Sequence, residues 1–201
     1  IASIVALAAP QARQLHIRAI DSDGLTTTIV LGRAIAAAID AGAHVINISA
    51  VVPENIAGFA NMVARARDAG ITVVASSGNF PAEQATYPGS YPEAASVSSS
   101  GPGRIFSSEF STYGSAIDLC APGQSFYDHD PVLGPVPVEG ASVIGVIGTS
   151  PLDPSQPLFA TASGTSFSSA WVSGAAALVR SAHPEWPTAE VPVALIGQTV
   201  I

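Results

Sequence analysis

Apolar residues recur with helical spacing in two stretches before residue 70, which predicts two amphipathic helices. Their apolar faces consist of Leu31, Ile35, Ala38 and Ile39, and of Ile56, Phe59, Val63 and Ala66. Each stretch ends in Asp-Ala-Gly, a helix stop, and a continuous apolar run follows it, at 44–49 and at 71–76. With a further apolar run at 14–20, the predicted order is strand, helix, strand, helix, strand.

This alternation predicts an α/β fold in which a parallel sheet is flanked by helices. In such sheets ligands bind beyond the carboxyl ends of the strands. The positions to inspect therefore follow the two apolar runs: Ser49, Ala50 and Val51 after the first, and Ser76, Ser77, Gly78 and Asn79 after the second.

The pattern changes after Asn79 to short apolar pieces separated by Pro, Gly and Ser, which predicts loops and short strands covering one end of the sheet. The Pro- and Gly-rich stretch 124–162 has no assigned role. A long apolar helix is predicted from Gly164-Thr165-Ser166 to about His183, and a last short helix from Thr188. No linker divides the chain, so we predict one domain over residues 1–201.

The amino-acid composition excludes several classes of function. Hydrophobic residues make up 48% of the chain and charged residues 11%, a balance typical of a folded α/β protein. Seven basic against 15 acidic residues give a net charge of -8, which opposes nucleic-acid binding. No apolar run is long enough to span a membrane. The single cysteine, Cys120, cannot form an internal disulfide and is predicted to be a small buried hydrophobe.

Two polar residues are candidates for chemistry. Ser166 begins a predicted helix, where free N–H groups and the helix dipole favour negative charge. Asn79 ends a predicted strand, and its side-chain amide is able to donate to an oxyanion. Each also has an ordinary structural explanation, a helix cap for Ser166 and a turn for Asn79. Neither tripeptide decides the matter alone.

The spacing of several motifs resembles the subtilase (subtilisin-like serine protease) family over nearly the whole chain. The strongest motif is the run 163–178, which begins Ser163-Gly164-Thr165-Ser166 and is similar to the nucleophile signature of the family. Further motifs stand in the family's order at 45–49, 73–79, 87–92, 110–114 and 121–123. The resemblance implies the three-layer α/β/α fold of subtilisin and the activity of a serine endopeptidase.

Carried over residue by residue, the resemblance implies that Ser166 is the nucleophile and that Asn79 and the Ser166 N–H hold the oxyanion. The implied substrate-binding residues are Ser49, Ala50, Val51, Ser76, Ser77, Gly78 and Thr165. Val51 stands where the family usually has Gly, so the cleft is expected to be narrower. Ala170 and Trp171 replace the usual Pro and His, which we expect to affect helix packing only.

A subtilase also needs a His and an Asp, which the resemblance places upstream of residue 1. The chain is therefore expected to be the C-terminal two-thirds of a catalytic domain and inactive alone. His16, His44 and His183 are predicted to be structural. His129, beside two carboxylates in a predicted loop, is interpreted as structural too, although a surface or metal-binding role stays open for it.

The resemblance further implies a polypeptide substrate, a monomer and an extracellular location. No cofactor is required and no metal-binding residue is predicted, although calcium remains open because the family often binds it. The sequence Asp21-Ser22-Asp23-Gly24 is predicted to form a turn rather than a calcium loop. Two alternatives are a pseudoprotease that binds peptides without cutting them and an α/β-hydrolase esterase. The latter lacks its Gly-x-Ser-x-Gly pentad here.

Overall fold

The computed structural model describes residues 1–101, 105–124 and 163–197, and the backbone of four short strands between 127 and 161. The helices in these parts are α1 (Ala2–Ala8), α2 (Thr28–Asp40), α3 (Ala57–Asp68), α4 (Thr165–Ala182) and α5 (Glu190–Gly197). The strands are β1 (Val45–Ile48), β2 (Thr72–Ser76), β3 (Ala94–Ser100), β4 (Leu119–Pro122), β5 (Tyr127–Asp130), β6 (Gly134–Pro137), β7 (Ile144–Thr149) and β8 (Pro157–Thr161).

Strands β1 to β4 form a parallel sheet in the order β1-β2-β3-β4. Ile48 is paired with Ala75 and Ser76 with Val97, so neighbouring strands end at the same edge. This edge carries the segments that follow β1 and β2, as the sequence predicts. The predicted parallel sheet is confirmed.

Consecutive residues of β2 point to opposite faces of the sheet, each covered by helices. Val73 belongs to a core built with α2 and α3, whereas Val74 belongs to a core built with α4 and α5. Both valines are buried, at 2% and 0% exposure. Because a strand covered on both faces has no solvent side, β2 reads as a continuous apolar run. The three-layer α/β/α arrangement is confirmed.

The predicted stops of the two amphipathic helices are also confirmed. Helix α2 begins after Thr27, whose hydroxyl accepts a hydrogen bond from the Val30 N–H at 3.3 Å. Helices α2 and α3 are followed by Gly42 at φ +70° and Gly70 at φ +78°. These left-handed conformations favour glycine and turn the chain into the next strand.

The strand predicted at 14–20 is absent. Leu15 and Ile17 are 59% and 37% exposed. Strand β1 lies at the edge of the described sheet, with β2 as its partner. An extended segment becomes a strand only when its N–H and C=O groups pair with a neighbour. The apolar pattern alone could not reveal that pairing, so this prediction was wrong.

Strands β3 and β4 extend the main sheet, whereas the sequence predicted loops and short strands covering one end of it. Five consecutive residues of β3, from Ser96 to Ser100, include four serines, which hides the strand from an apolar pattern. Two of these hydroxyls have partners inside the protein: Ser98 donates to the carbonyl of Thr112 at 2.5 Å, and Ser99 Oγ pairs with Ser107 Oγ at 3.2 Å.

Cys120 on β4 has an exposed side chain, so its prediction as a buried hydrophobe was wrong. Alternate residues of β4 differ in exposure, and its neighbour Ala121 occupies the buried face. Partial burial nevertheless raises the pKa of the Cys120 thiol. This thiol is less readily ionised than a free one.

Within the stretch 124–162, β5 pairs with β6 and β7 with β8, both antiparallel. The side chains of 125–162, including that of His129, lie outside the described residues, so the two possible roles of His129 stay open. Among the helices that the structure describes, none combines the length and apolar character that a membrane span requires.

Candidate active site

Ser166 is the second residue of α4 and faces the edge where β1 and β2 end. The chain enters α4 through Gly164, whose N–H donates to the Gly123 carbonyl at 2.7 Å. Along the helix, Ala170 and Ala176 are completely buried. Because one side of α4 is fixed by this packing, its half-buried N-terminal residue Ser166 keeps a defined position.

The side chain of Asn79 is held by Thr165. The Thr165 N–H and the Thr165 hydroxyl both donate to Asn79 Oδ1, each at 2.9 Å. A backbone N–H can only donate, so the amide oxygen must face Thr165 and the Nδ2 group must point away. Asn79 is exposed, which leaves its Nδ2 hydrogens accessible from the sheet edge.

Thr165 also binds the backbone on the far side of Asn79. The Gly78 N–H donates to Thr165 Oγ1 at 3.2 Å, and Thr165 is 1% exposed. Gly164 leaves space beside the amide, because a Cβ at this position would lie 3.2 Å from Asn79 Nδ2. The local sequence thus fixes the oxygen of Asn79 and keeps its nitrogen unobstructed.

Ser49, which follows β1, contacts Ser166 twice. Its hydroxyl donates to the Ser166 carbonyl at 3.0 Å, and its own carbonyl accepts from Ser166 Oγ at 3.4 Å. The second distance is long for a hydroxyl donor, so this hydrogen bond is weak. The Ser166 hydroxyl is therefore close to the edge of β1 and only loosely held there.

A network of hydrogen-bonded polar side chains extends from this contact. The sequence analysis did not predict it. Asn47 Nδ2 donates to Ser49 Oγ at 2.8 Å, and Ser173 Oγ donates to Asn47 Oδ1 at 2.9 Å. Ser169 Oγ lies 3.0 Å from Ser49 Oγ and 3.0 Å from the Ser166 carbonyl. The signal was present: Asn47 and Ser49 alternate on one strand, and the serines recur at helical spacing.

The segments predicted to bind substrate lie on either side of this edge. Ser49, Ala50 and Val51 are half-buried, whereas Ser76, Ser77, Gly78 and Thr165 are buried. Ser77, for example, exchanges a hydrogen bond with Ser98 Oγ at 3.1 Å, and its carbonyl accepts one from Thr86 Oγ1 at 2.5 Å. Residues 49–51 are therefore partly accessible, whereas residues 76–78 and Thr165 support the site from inside the protein.

Val52, the residue after Val51, pairs with Tyr87 in a short antiparallel bridge. The Val52 N–H donates to the Tyr87 carbonyl at 2.8 Å, and the Tyr87 N–H donates to the Val52 carbonyl at 2.9 Å. This pair of bonds ties the segment after β1 to the loop that follows Asn79. Backbone hydrogen bonds thus hold this loop and the segment after β1 together.

No described histidine side chain reaches Ser166. His44 is exposed and precedes β1, at the opposite end of the strand from Ser49, and His16 is exposed in the segment 14–20. His183 follows the last turn of α4, roughly 25 Å from Ser166 at 1.5 Å per helical residue. Ring stacking on Trp186, with centroids 3.8 Å apart, occupies His183. The structural prediction for His183 agrees with this packing.

The acidic loop after residue 20 forms the predicted turn. Asp21 Oδ1 accepts from the N–H groups of Asp23 and Leu25 at 2.9 and 2.8 Å, and Gly24 has φ +79°. This carboxylate oxygen satisfies two backbone donors of the turn. Among the described residues, no three His, Cys, Asp or Glu side chains are grouped as metal ligands.

Comparison with known proteins agrees with the motifs. A family model described as the subtilase family matches residues 3–200. Subtilisin BL of Lederbergia lenta is 29% identical over 183 residues, which cover 91% of this chain and 59% of that protein. Thermitase of Thermoactinomyces vulgaris is 35% identical over 149 residues, which cover 72% and 53%. The chain therefore spans less than two thirds of the length of these relatives.

A solved structure, of a cold adapted subtilisin-like serine proteinase, superimposes with a TM-score of 0.70. The superposition covers 90% of this chain and 58% of that one, at 22% sequence identity. At this identity the likeness establishes the fold. Together with the family model, which matches nearly every residue, it leads to one conclusion: the chain belongs to the subtilase family.

Proposed function

We propose that the natural polypeptide containing these residues is a serine endopeptidase whose nucleophile is Ser166. The observation that carries the proposal is the arrangement of Asn79 beside the first turn of α4. Thr165 fixes the amide oxygen of Asn79, and no described residue accepts from the amide nitrogen, which lies next to the residue that bears the nucleophilic hydroxyl. A free, oriented N–H donor near a helix N-terminus suits the negative oxygen of an acyl-transfer intermediate.

In this proposal Ser166 Oγ forms a bond to the carbonyl carbon of the substrate, and the carbonyl π electrons move onto oxygen. Asn79 Nδ2 and the Ser166 N–H donate hydrogen bonds to that oxygen. The serine proton passes to a general base, which returns it to the departing amine as the C–N bond breaks. Water then hydrolyses the acyl-enzyme by the same steps and regenerates Ser166.

The general base is assigned to a histidine outside the described side chains of this chain. The support is that the described histidines lie far from Ser166 or on the opposite end of β1. Within the described part of the chain, Ser166 Oγ has one hydrogen bond, the 3.4 Å contact with the Ser49 carbonyl. Such a weakly held hydroxyl is available to an incoming imidazole.

The substrate is proposed to be an extended polypeptide that pairs with the backbone of 49–51. A strand added at a sheet edge gains main-chain hydrogen bonds and leaves selectivity to side-chain pockets. Val51 narrows this cleft, and Val52 is fixed to Tyr87 behind it. Substrates with small side chains near the cleaved bond are therefore expected to be preferred.

The test is hydrolysis of casein and of peptide anilides by the natural polypeptide, beside its Ser166→Ala variant. The proposal expects hydrolysis by the wild type and background rates in the variant, with both proteins giving the same thermal unfolding temperature. Peptide binding without hydrolysis by the folded wild type would identify a pseudoprotease instead. Equal hydrolysis by both proteins would mean that Ser166 is not the nucleophile.

A further inference from the structure

We infer that Ser49 is a positioning residue, which aligns Ser166 for reaction through a chain of hydrogen bonds between β1 and α4. The chain consists of Ser173, Asn47, Ser49 and the carbonyl of Ser166. The inference rests on the proposed function, because it assigns a further residue to the same site.

The direction of the hydrogen bonds follows from the orientation of the Asn47 amide. Ser173 Oγ donates to Asn47 Oδ1, so the amide oxygen faces Ser173 and the Nδ2 group faces Ser49. Nδ2 can only donate, so Ser49 Oγ accepts from it and its single proton is free for another partner. Two acceptors lie within reach of this proton, the Ser166 carbonyl and Ser169 Oγ, each 3.0 Å away, and either bond ties Ser49 to the start of α4.

Ser169 shares this geometry but cannot replace Ser49. Its hydroxyl lies three residues after Ser166 on the same helix, and its 3.0 Å bond to the Ser166 carbonyl is local to α4. Among the described residues, it is the Ser49 bond that connects this carbonyl to the sheet, across 117 positions of sequence. Ser49 therefore fixes the first turn of α4 relative to the strand that presents the substrate-binding backbone.

This arrangement couples the nucleophile to the substrate. The Ser49 side chain holds the backbone of Ser166, and the backbone that continues from Ser49 through Val51 forms the exposed side of the cleft. A shift of α4 against β1 would change the distance between the hydroxyl and a bound peptide. Since small displacements of reacting groups reduce rates strongly, the hydrogen bond should act on the chemical step.

The experiment compares Ser49→Ala and Ser49→Thr in the natural polypeptide. Alanine leaves the backbone intact, so KM for a peptide anilide should stay within about twofold, while kcat should fall about threefold to tenfold, as expected for the loss of one buried hydrogen bond. Threonine keeps the hydroxyl and should restore kcat to within about twofold of the wild type. Unchanged kcat in Ser49→Ala, or no restoration by threonine, would overturn the inference.

Ser107→Ala is the matched control. Ser107 is buried and its hydroxyl pairs with Ser99 Oγ at 3.2 Å, and none of the hydrogen bonds described for it involves Ser49 or Ser166. If a general loosening of the protein lowered kcat, Ser107→Ala would lower it equally, and that result would also contradict the inference. The expected result is that Ser107→Ala loses stability but keeps the kcat of the wild type.

Hydrogen–deuterium exchange separates this inference from the proposed function. The peptide covering 165–170 should exchange faster in Ser49→Ala than in the wild type and in Ser107→Ala. This readout does not depend on catalysis. If the wild type hydrolyses nothing, the proposed function fails, and the exchange rates alone decide whether Ser49 positions α4: equal rates would refute it.

Discussion

Thr165 donates two hydrogen bonds to one oxygen of Asn79, from its backbone N–H and from its hydroxyl, both at 2.9 Å. A carbonyl oxygen has two lone pairs, so these bonds use its full capacity. The amide of Asn79 cannot rotate without breaking both. Its NH₂ group is thereby aimed away from Thr165 before any substrate binds, which is the preorganisation that oxyanion stabilisation requires.

Replacement of Asn79 by alanine should lower kcat by about 10² to 10³ and leave KM nearly unchanged, because the donor acts on charge that develops in the transition state. Steady-state kinetics on a peptide anilide measures both constants. The change also removes the acceptor of the buried Thr165 N–H and hydroxyl, so the free energy of unfolding should fall by about 1–3 kcal/mol. A loss that appeared only in KM would show that Asn79 binds substrate rather than the oxyanion.

Thr165→Val should have a smaller effect of the same kind. The backbone bond to Asn79 Oδ1 remains, but the hydroxyl bond is lost and the buried Gly78 N–H loses its acceptor. We expect kcat to fall about threefold to tenfold and the free energy of unfolding to fall by about 1–3 kcal/mol. Thr165→Ser keeps the hydroxyl and should retain most of both. If the valine and serine variants behave alike, the hydroxyl does not hold Asn79.

Gly174 marks the close packing of α4 against α1. A Cβ at this position would overlap the Cβ of Ala8, so Gly174→Ala should lower the free energy of unfolding by about 1–2 kcal/mol, despite the higher helix propensity of alanine. At Gly58 in α3 a Cβ would meet no atom within 4 Å. Gly58→Ala should therefore raise stability by about 0.5 kcal/mol. Urea unfolding measures both, and stabilisation by both changes would contradict the packing of α1 on α4.

Tyr91 should make stability depend on alkaline pH. Its side chain is buried against Phe59 and Tyr87, its hydroxyl donates to the Ile56 carbonyl at 3.3 Å, and burial raises its pKa above the ordinary value near 10. The neutral phenol is therefore favoured in the folded state. Its contribution is complete below pH 10 and is lost as the pH rises through the raised pKa.

Urea unfolding between pH 9 and 11 tests this pH dependence. Tyr91→Phe should be less stable than the wild type at pH 9 but should lose less stability on going to pH 11. Tyr113→Phe is the control, because Tyr113 is 44% exposed, and its alkaline loss should equal that of the wild type. An identical alkaline loss in Tyr91→Phe and the wild type would rule out Tyr91 as the titrating group.

The parts of the fold that the sequence revealed are those with one strong periodic signal. Leu31, Ile35, Phe59 and Val63 recur at helical spacing and all face one core. By contrast, β3 is rich in serine, and the hydroxyls of Ser98 and Ser99 pair with residues that follow the strand, Thr112 and Ser107. A strand of this kind is recognised only when those partners are known. The segment 14–20 shows the converse, an apolar alternation without a ladder partner.

The same distinction holds for the candidate site. Ser166 and Asn79 stand in motifs, and the structure brings them to one edge of the sheet. The roles of Asn47, Ser169 and Ser173 depend on how β1 packs against α4, a contact between segments more than 100 residues apart. Polar residues on such an interface look like ordinary surface residues in a sequence. Their function follows only from the hydrogen bonds they form.

The central claim is that Ser166 is an activated nucleophile in the natural polypeptide. A fluorophosphonate probe reacts covalently with such a serine, and mass mapping of the labelled peptides locates the modified residue. We expect a single label within the peptide that contains Ser166, absent after denaturation and in Ser166→Ala. A folded natural polypeptide that stays unlabelled, or that carries the label on another serine, would contradict it.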